Sequence, residues 1–352
     1  IDKNNKPDLG YLKMAAKSVG QCLEKRNKFG TPLVIFESTV YPGATEEVCI
    51  PIIEKYSKYK IDSSSEKNNF KQFSCGYSPE RINPGDKTRT LIDIVKITSG
   101  STSEGAGKID EFYKSFIKAG TFPVSSIKIA EAAKVIENTQ RDVNIALVNE
   151  LSLIFRLMNI DTNDVLEAAA SKWNFLPFKP GLVGGHCIGV DPYYLTYKAA
   201  EFGYHAEVVL SGRKTNESMA KNIADRLIVE ICKQKINISS TRILIMGVTF
   251  KENCPDIRNS KVFDIAKRLE DCNVKIDLYD PIASKSDVKK IYNYSLIDSL
   301  DKIRDYSSII VAVAHDVFAG KSNTFWGNLT NKGIVIFDVK SILPRGKNIL
   351  RL

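Results

Sequence analysis

Cys187 stands in the stretch PGLVGGHCIGVDPYYL, Pro180 to Leu195, just after Gly181, Gly184 and Gly185 and four residues before Asp191. Glycines permit backbone angles that other residues avoid and let another group approach the main chain. That is an odd setting for a cysteine that only fills a core. As chemistry, the cysteine is a nucleophile and the aspartate orients it or a water. The plainer alternative is a buried cysteine with an aspartate capping the helix that starts near Pro192, a role that proline at the first helical position makes real. Lys134 and Asn138 form a second pair, four apart and so on one face of a helix. The lysine would stabilise a developing oxyanion or shuttle a proton, and the asparagine would donate to the same oxygen. A solvated polar face is the commoner use of such a pair. Thr39 in ESTVYPGAT and Glu80 in YSPERINPG each stand where a strand ends, at the edge where parallel sheets bind ligands. Ser, Pro and Gly flank both, so turn chemistry is the alternative. The segment GVTFKENCPDIRNS, Gly247 to Ser260, follows a strand. Phe250 suits stacking on a base, and Lys251 and Arg258 suit phosphates, against the alternative of a surface loop with scattered charges.

Three regions must position these residues. From Ile1 to about Pro123, strands alternate with helices. Asp8 reads as the N-cap of a helix through about Asn27. Pro32 to Thr39, Phe73 to Glu80 and Ile94 to Gly100 read as strands, and Thr45 to about Tyr59 as an amphipathic helix. Such repetition predicts a parallel α/β sheet. From Ser125 to Ile160 there is no Pro or Gly, and Val135, Val143, Leu147, Leu151, Ile154 and Leu157 recur at helical spacing. A helix this long usually packs on a neighbour, and another subunit is the expected one. A second long helix spans about Ala206 to Gln234, with Gly212 as a blemish. From Ser240 the α/β alternation returns, with a strand entering the Gly247 loop, a helix from about Asn259, and strands at Val274 to Asp280, Ser307 to Ala314 and Gly333 to Val339. The polar stretch Ser63 to Lys71 reads as a solvated loop.

Composition sets the outer limits. The chain has 352 residues, 43% hydrophobic and 26% charged, as in ordinary globular proteins. No apolar run is long enough to span a bilayer. The net charge of +9 favours anionic partners. Its lysines are dispersed among acidic residues, which suits phosphorylated metabolites better than nucleic acid. Seven cysteines without a CxxC pair predict thiols in a cytoplasmic protein rather than disulfides. His186, His205 and His315 are the three histidines, and none has partners at zinc-ligand spacing, so no metal site is expected.

In order along the chain, ESTVYPGAT, SPERINPGD, AEAAKVIENTQRDVNIALVNE, PGLVGGHCIGVDPYYL and GVTFKENCPDIRNS resemble the UDP-glucose/GDP-mannose dehydrogenase superfamily, the UDP-sugar 6-dehydrogenases. The GGHCIGVDPYYL wording is most similar to bacterial enzymes acting on UDP-N-acetylhexosamines for capsule, O-antigen or Vi-type polysaccharides. The UDP-glucose branch carries a lysine just before the aspartate, where this chain has Val190. The resemblance implies two Rossmann-like, doubly wound parallel-sheet domains joined by a long-helix central domain. The bounds are 1–124 for the NAD-binding part, 125–236 for the central, dimerising part with the cysteine loop, and 237–352 for the UDP-binding part. It implies a four-electron oxidation of a sugar CH₂OH to a carboxylate with two NAD⁺. Cys187 would form a thiohemiacetal and then a thioester. Lys134 and Asn138 would stabilise oxyanions, Asp191 would move a proton or place water, Glu80 would serve thioester hydrolysis, and Thr39 would lie near that water and the nicotinamide. Arg81, Gly181, Gly184, Phe250 and Lys251 would hold the UDP-sugar, and Arg258 would reach the NAD. A homodimer in the cytoplasm, without nucleic acid or membrane partners, is expected. The family's first strand and G-x-G-x-x-G turn do not precede Ile1, so an N-terminally truncated first domain is expected. The alternatives are a UDP-N-acetylmannosamine or UDP-glucose enzyme, a UDP-sugar-binding fragment without chemistry, or a simpler β-hydroxyacid dehydrogenase. The last type needs no cysteine.

Overall fold

The computed structural model describes residues 1–352 except 3, 28, 63–70 and 84–87. The reading of Ser63 to Lys71 as a solvated loop and the end of SPERINPGD therefore lie largely outside the described residues. By contacts the chain divides into two compact units, residues 1–140 with 190–206, and residues 141–189 with 207–352.

The first unit is built on five strands: β1 (Leu33–Phe36), β2 (Lys60–Ile61), β3 (Gln72–Tyr77), β4 (Lys96–Gly100) and β5 (Thr121–Pro123). Their order is β1-β3-β4-β5, with β2 also on β3. β1 and β3 run parallel, with Phe36 opposite Tyr77. β4 is antiparallel to β3, a local departure from the parallel pattern. Among the described residues the connection between them holds only the short 3₁₀ turn Leu91–Asp93, whereas a parallel pair needs a long crossover, usually a helix. Phe73, Cys75 and Tyr77 of β3 are fully buried, and Ser74 and Gly76 between them are buried too. That is the pattern of a strand covered on both faces.

Helices Gly10–Glu24 and Ile50–Ser57 pack Ala16, Leu23 and Ile53 with Phe73 and Cys75. They approach closely at Gly20, where a Cβ would come within 2.9 Å of Tyr56. The first of these helices begins one step later than its sequence suggests. Leu9 is the N-cap, and the Asp8 carboxylate accepts from the Gly10 N–H at 2.9 Å. The second is preceded by a π turn at Thr45–Cys49, and the Glu131 carboxylate accepts from the Gly43 and Thr45 N–H groups at 2.5 and 2.9 Å. Helix Ser103–Lys114 packs Ile109 and Tyr113 against Leu33 and Ile35 of β1.

The Pro- and Gly-free segment is one helix, Ile127–Leu157, whose residues up to 140 belong to the first unit and the rest to the second. In the second unit, helix Glu207–Lys233 supplies Met219, Ile223, Leu227 and Ile231 to the core, four apart on one stripe. Its Gly212 faces the long helix, where an added Cβ would lie at ordinary contact distance, 3.4 Å, from Ala146. Strands β6 (Arg242–Met246), β7 (Lys275–Tyr279), β8 (Ser308–Val311), β9 (Val335–Asp338) and β10 (Ile349–Arg351) form a wholly parallel sheet of order β10-β9-β8-β6-β7. β6, β8 and β9 are buried from end to end apart from Arg242, as the central strands of a doubly wound sheet are.

Candidate active site

In the first unit the long helix brings Lys134 and Asn138 to one buried face, each 8% exposed. The commoner solvated arrangement does not apply here. Asn138 Nδ2 donates to Asp191 Oδ2 at 2.6 Å. Asp191 is 2% exposed and opens the helix Asp191–Glu201. It does not cap that helix: Val190 is the N-cap and makes no side-chain cap hydrogen bond. At the first helical position the carboxylate faces Asn138 instead. Burial pushes the Asp191 carboxyl up to about 6, against the Asn138 hydrogen bond and the Lys134 charge, which pull it down. Lys134, Asn138 and Asp191 thus form a cation, a neutral donor and a carboxyl group that exchanges its proton near neutrality.

Arg81 bonds the Val95 carbonyl at 2.9 Å and pairs with Glu137 at 2.6 Å, one residue from Asn138. It is therefore engaged by protein groups on two sides. Glu80 is exposed, and its carboxylate accepts from the Ile82 N–H. Thr39 is half-buried just beyond β1. At that strand end Glu37 is tied to Lys96 at 2.8 Å and to the Tyr113 hydroxyl at 2.5 Å, and these bonds hold its carboxyl below the usual range against burial. What remains at the edge is the pair of hydroxyls of Ser38 and Thr39 and a neutralised carboxylate. Those hydroxyls can donate to or accept from the ribose or carboxamide of a nicotinamide cofactor.

In the second unit the cysteine loop is folded onto the loop after β6. Cys187 is half-buried, and all seven cysteines are thiols. The loop's glycines answer the opening oddity in a way sequence did not foresee, because the close approach is by the chain itself. A Cβ on Gly184 would meet the Asn259 carbonyl at 2.8 Å, and one on Gly185, at φ +83°, the Phe250 ring at 2.9 Å. Asn259 Nδ2 donates to the Gly185 carbonyl at 3.1 Å. Gly181 faces Lys340, whose Nζ would lie 2.9 Å from an added Cβ. Leu182, Gly184, Phe250, Ser260 and Lys340 line a narrow cleft. Burial lowers the Lys340 ammonium, and neighbouring Lys179 adds to this while Glu252 opposes it. A part-buried cation of this kind is stabilised by an anionic ligand. Lys251, beside Phe250, is half-buried. Arg258 is held by Asp256 in a two-pronged pair at 2.6 and 3.0 Å, within electrostatic reach of Cys187. The pair leaves the donors on the other guanidinium nitrogen of this exposed side chain available to a ligand.

Sequence reasoning missed the supports of this loop. Asn149 on the long helix accepts from the Gly181 N–H at 2.7 Å and donates to its carbonyl at 3.0 Å. It also bonds Asn216, which bonds Asp142, itself paired with Arg213 at 2.6 Å. All four are buried. Their signal was polar residues on the buried stripes of the two long helices. Lys340 stands just beyond β9, an edge position that could have been singled out as Thr39 was. Among the described residues no group of three or more His, Cys, Asp or Glu side chains could hold a metal. No described helix is long and apolar enough to cross a membrane.

Two α/β units, one with a buried Lys134–Asn138–Asp191 cluster and the other with a thiol loop, suit a dehydrogenase of nucleotide-linked substrates. Residues 1–117, 128–218 and 244–345 match the NAD-binding, central and UDP-binding domains of the UDP-glucose/GDP-mannose dehydrogenase family. The chain is 49% identical over its whole length to a UDP-N-acetyl-D-glucosamine 6-dehydrogenase of Pseudomonas aeruginosa, covering 80% of that protein. It is 49% identical to protein CapL of Staphylococcus aureus over 97% of this chain and 77% of that one. The solved structure of a UDP-D-ManNAc dehydrogenase from Pyrococcus horikoshii superposes with a TM-score of 0.82 at 27% identity, over 99% of this chain and 78% of that one. The chain belongs to the UDP-glucose/GDP-mannose dehydrogenase family and is an NAD-dependent enzyme. The match of residues 1–117 shows that the NAD-binding domain is represented in the chain, where the sequence suggests a truncated one.

Proposed function

We propose that the protein oxidises C6 of a UDP-N-acetylhexosamine, of the N-acetylglucosamine type, to the uronic acid for surface polysaccharide synthesis. The relatives at 49% identity support the sugar and the pathway, one named for UDP-N-acetyl-D-glucosamine and the other for a capsule protein. The observation that carries the chemistry is the buried Asn138–Asp191 contact of 2.6 Å beside Lys134. A bound nicotinamide would supply the hydride acceptor, one molecule for each of the two oxidations. Asn138 and Lys134 donate to the oxygen that gains negative charge in each step. Asp191, with its proton exchanging near neutrality, takes up and returns protons at that oxygen. Cys187 adds its sulfur to the aldehyde carbon, the carbonyl oxygen taking a proton, and holds the adduct until water cleaves the thioester. Glu80 serves that cleavage, and Thr39 places the water and the nicotinamide end. Phe250, Lys251, Gly181 and Gly184 form the nucleotide cradle, with Arg81 toward the sugar and Arg258 toward the cofactor.

The three-part division at residues 124 and 236, a cytoplasmic location and a homodimer complete the proposal. Leu147, Ile154 and Leu157 are 44–78% exposed on the long helix and support self-association there. The test is NADH release by the full-length protein across UDP-N-acetylglucosamine, its galactosamine and mannosamine epimers, and UDP-glucose. A kcat/KM for UDP-N-acetylglucosamine at least tenfold above UDP-glucose is expected. A preference for UDP-glucose would overturn the sugar assignment.

A further inference from the structure

The loop after β6 carries Phe250 and Lys251 on an irregular stretch, and something must hold it still. At its start, Asp280, just beyond β7, accepts from the Val248 N–H at 2.7 Å and more weakly from the Thr249 N–H at 3.4 Å. The same carboxylate is fixed from behind by the Ile282 and Ala283 N–H groups at 2.9 and 2.8 Å. Farther along the loop stands His315, 1% exposed, just beyond β8. Its Nδ1 accepts from the Asn253 N–H at 3.0 Å. A nitrogen that accepts carries no proton, so the ring proton sits on Nε2. There it lies 3.2 Å from Asp280 Oδ2 and 3.2 Å from Thr249 Oγ1. The Thr249 hydroxyl in turn donates to the Lys251 carbonyl at 2.9 Å. Asn253 adopts a left-handed φ of +54°, and its Oδ1 accepts from the Asp316 N–H at 3.1 Å. Residues 315 and 316 therefore grip Asn253 at two points. One imidazole joins the beginning, middle and end of the arch that presents Phe250 and Lys251.

We infer that His315 is a positioning residue for the nucleotide: as its Nε2–H tautomer it bridges Asp280 and Asn253 and fixes the arch that holds Phe250 and Lys251. The inference rests on the assignment of Phe250 and Lys251 to the nucleotide cradle. A histidine that merely filled the core would need no such two-sided bonding and would affect stability alone. Removal of the Asn253 link frees a part-buried N–H and lets the arch sample other conformations, a loss that opposes binding.

The experiment is calorimetric titration with UDP, together with steady-state kinetics, on the full-length protein and on His315→Phe, His315→Gln and His315→Asn. Phe250→Ala and Lys251→Ala are the reference variants. His315→Phe is expected to weaken UDP binding about tenfold and to raise KM for the UDP-sugar in proportion, with kcat falling much less. His315→Asn places an amide oxygen near the Nδ1 position and is expected to recover most of the affinity. His315→Gln keeps a donor toward Asp280 but not that acceptor, and is expected to bind as poorly as His315→Phe. Should His315→Phe fail to fold, the order of the Asn and Gln variants decides, and Gln binding as well as Asn overturns the inference. Wild-type UDP affinity in His315→Phe also overturns it, as does a fall in melting temperature without a rise in KM. If Phe250→Ala and Lys251→Ala bind UDP normally, the cradle assignment fails and the inference falls with it. If they bind weakly while His315→Phe binds normally, only the inference fails.

Discussion

At the scale of residues, the decisive fact is the environment of Asp191. A carboxyl of this type ionises near 3.8 in water, and burial raises it to about 6. The ionised form is thus disfavoured in the folded protein. The folded state holds the proton over a range where the unfolded chain has already lost it. This cost is absent below about 3.8, grows as pH rises through that window, and is complete above 6. A shift of this size corresponds to at most about 3 kcal/mol. Asp191→Asn keeps a group able to bond Asn138 without the charge. Its melting temperature should equal or exceed that of the wild type at pH 8, with the advantage shrinking toward pH 4. A larger deficit at pH 8 than at pH 4 would show that the ionised carboxylate is stabilised instead. In activity, kcat should show an inflection near pH 6 that disappears in Asp191→Asn, where a general acid–base role is lost. Lys134→Ala should lower kcat more than it raises KM, because its charge serves an oxygen that becomes negative only during reaction. A raised KM with unchanged kcat would assign Lys134 to phosphate binding.

At the scale of elements, the cysteine loop and the arch after β6 are one packed object. Gly184→Ala would press a methyl group to 2.8 Å from the Asn259 carbonyl, and Gly185→Ala adds an unfavourable φ of +83° to contact with the Phe250 ring. Each substitution should destabilise by roughly 1–3 kcal/mol and weaken UDP binding by shifting Phe250, as melting curves and calorimetry would report. Unchanged UDP affinity in Gly185→Ala would separate the two loops functionally. Much of this was legible in the sequence. The long helices announced themselves by period and by the lack of Pro and Gly, and the apolar runs gave every long strand. β2, β5 and β10, at two or three residues each, lack a run long enough to show a period. The wrong cap at Asp191 has a tertiary cause. Pro192 and an aspartate make a good helix start, and nothing local reveals that Asn138, 53 residues earlier, captures the carboxylate. Asn149, Asn216 and His315 escaped for the same reason, because polar residues inside a core acquire meaning only from distant partners. The family motifs pointed to candidate reacting residues but not to the network behind them.

At the scale of the whole molecule, Cys187 belongs to the second compact unit and Asp191, four residues later in the chain, to the first. A net charge of +9 suits a dianionic nucleotide-sugar. KM for the UDP-sugar should therefore rise with ionic strength while kcat stays level, and a salt-independent KM would remove any part for that charge. The central claim is that Cys187 carries the sugar between its two oxidations. It is tested most directly by measuring uronate and NADH formed from UDP-N-acetylglucosamine by the full-length protein and by Cys187→Ala, alongside UDP-sugar binding. The wild type should release two NADH per uronate. Cys187→Ala should form uronate more slowly by several powers of ten, with binding kept within a few-fold. Near-normal uronate production by Cys187→Ala would contradict the account.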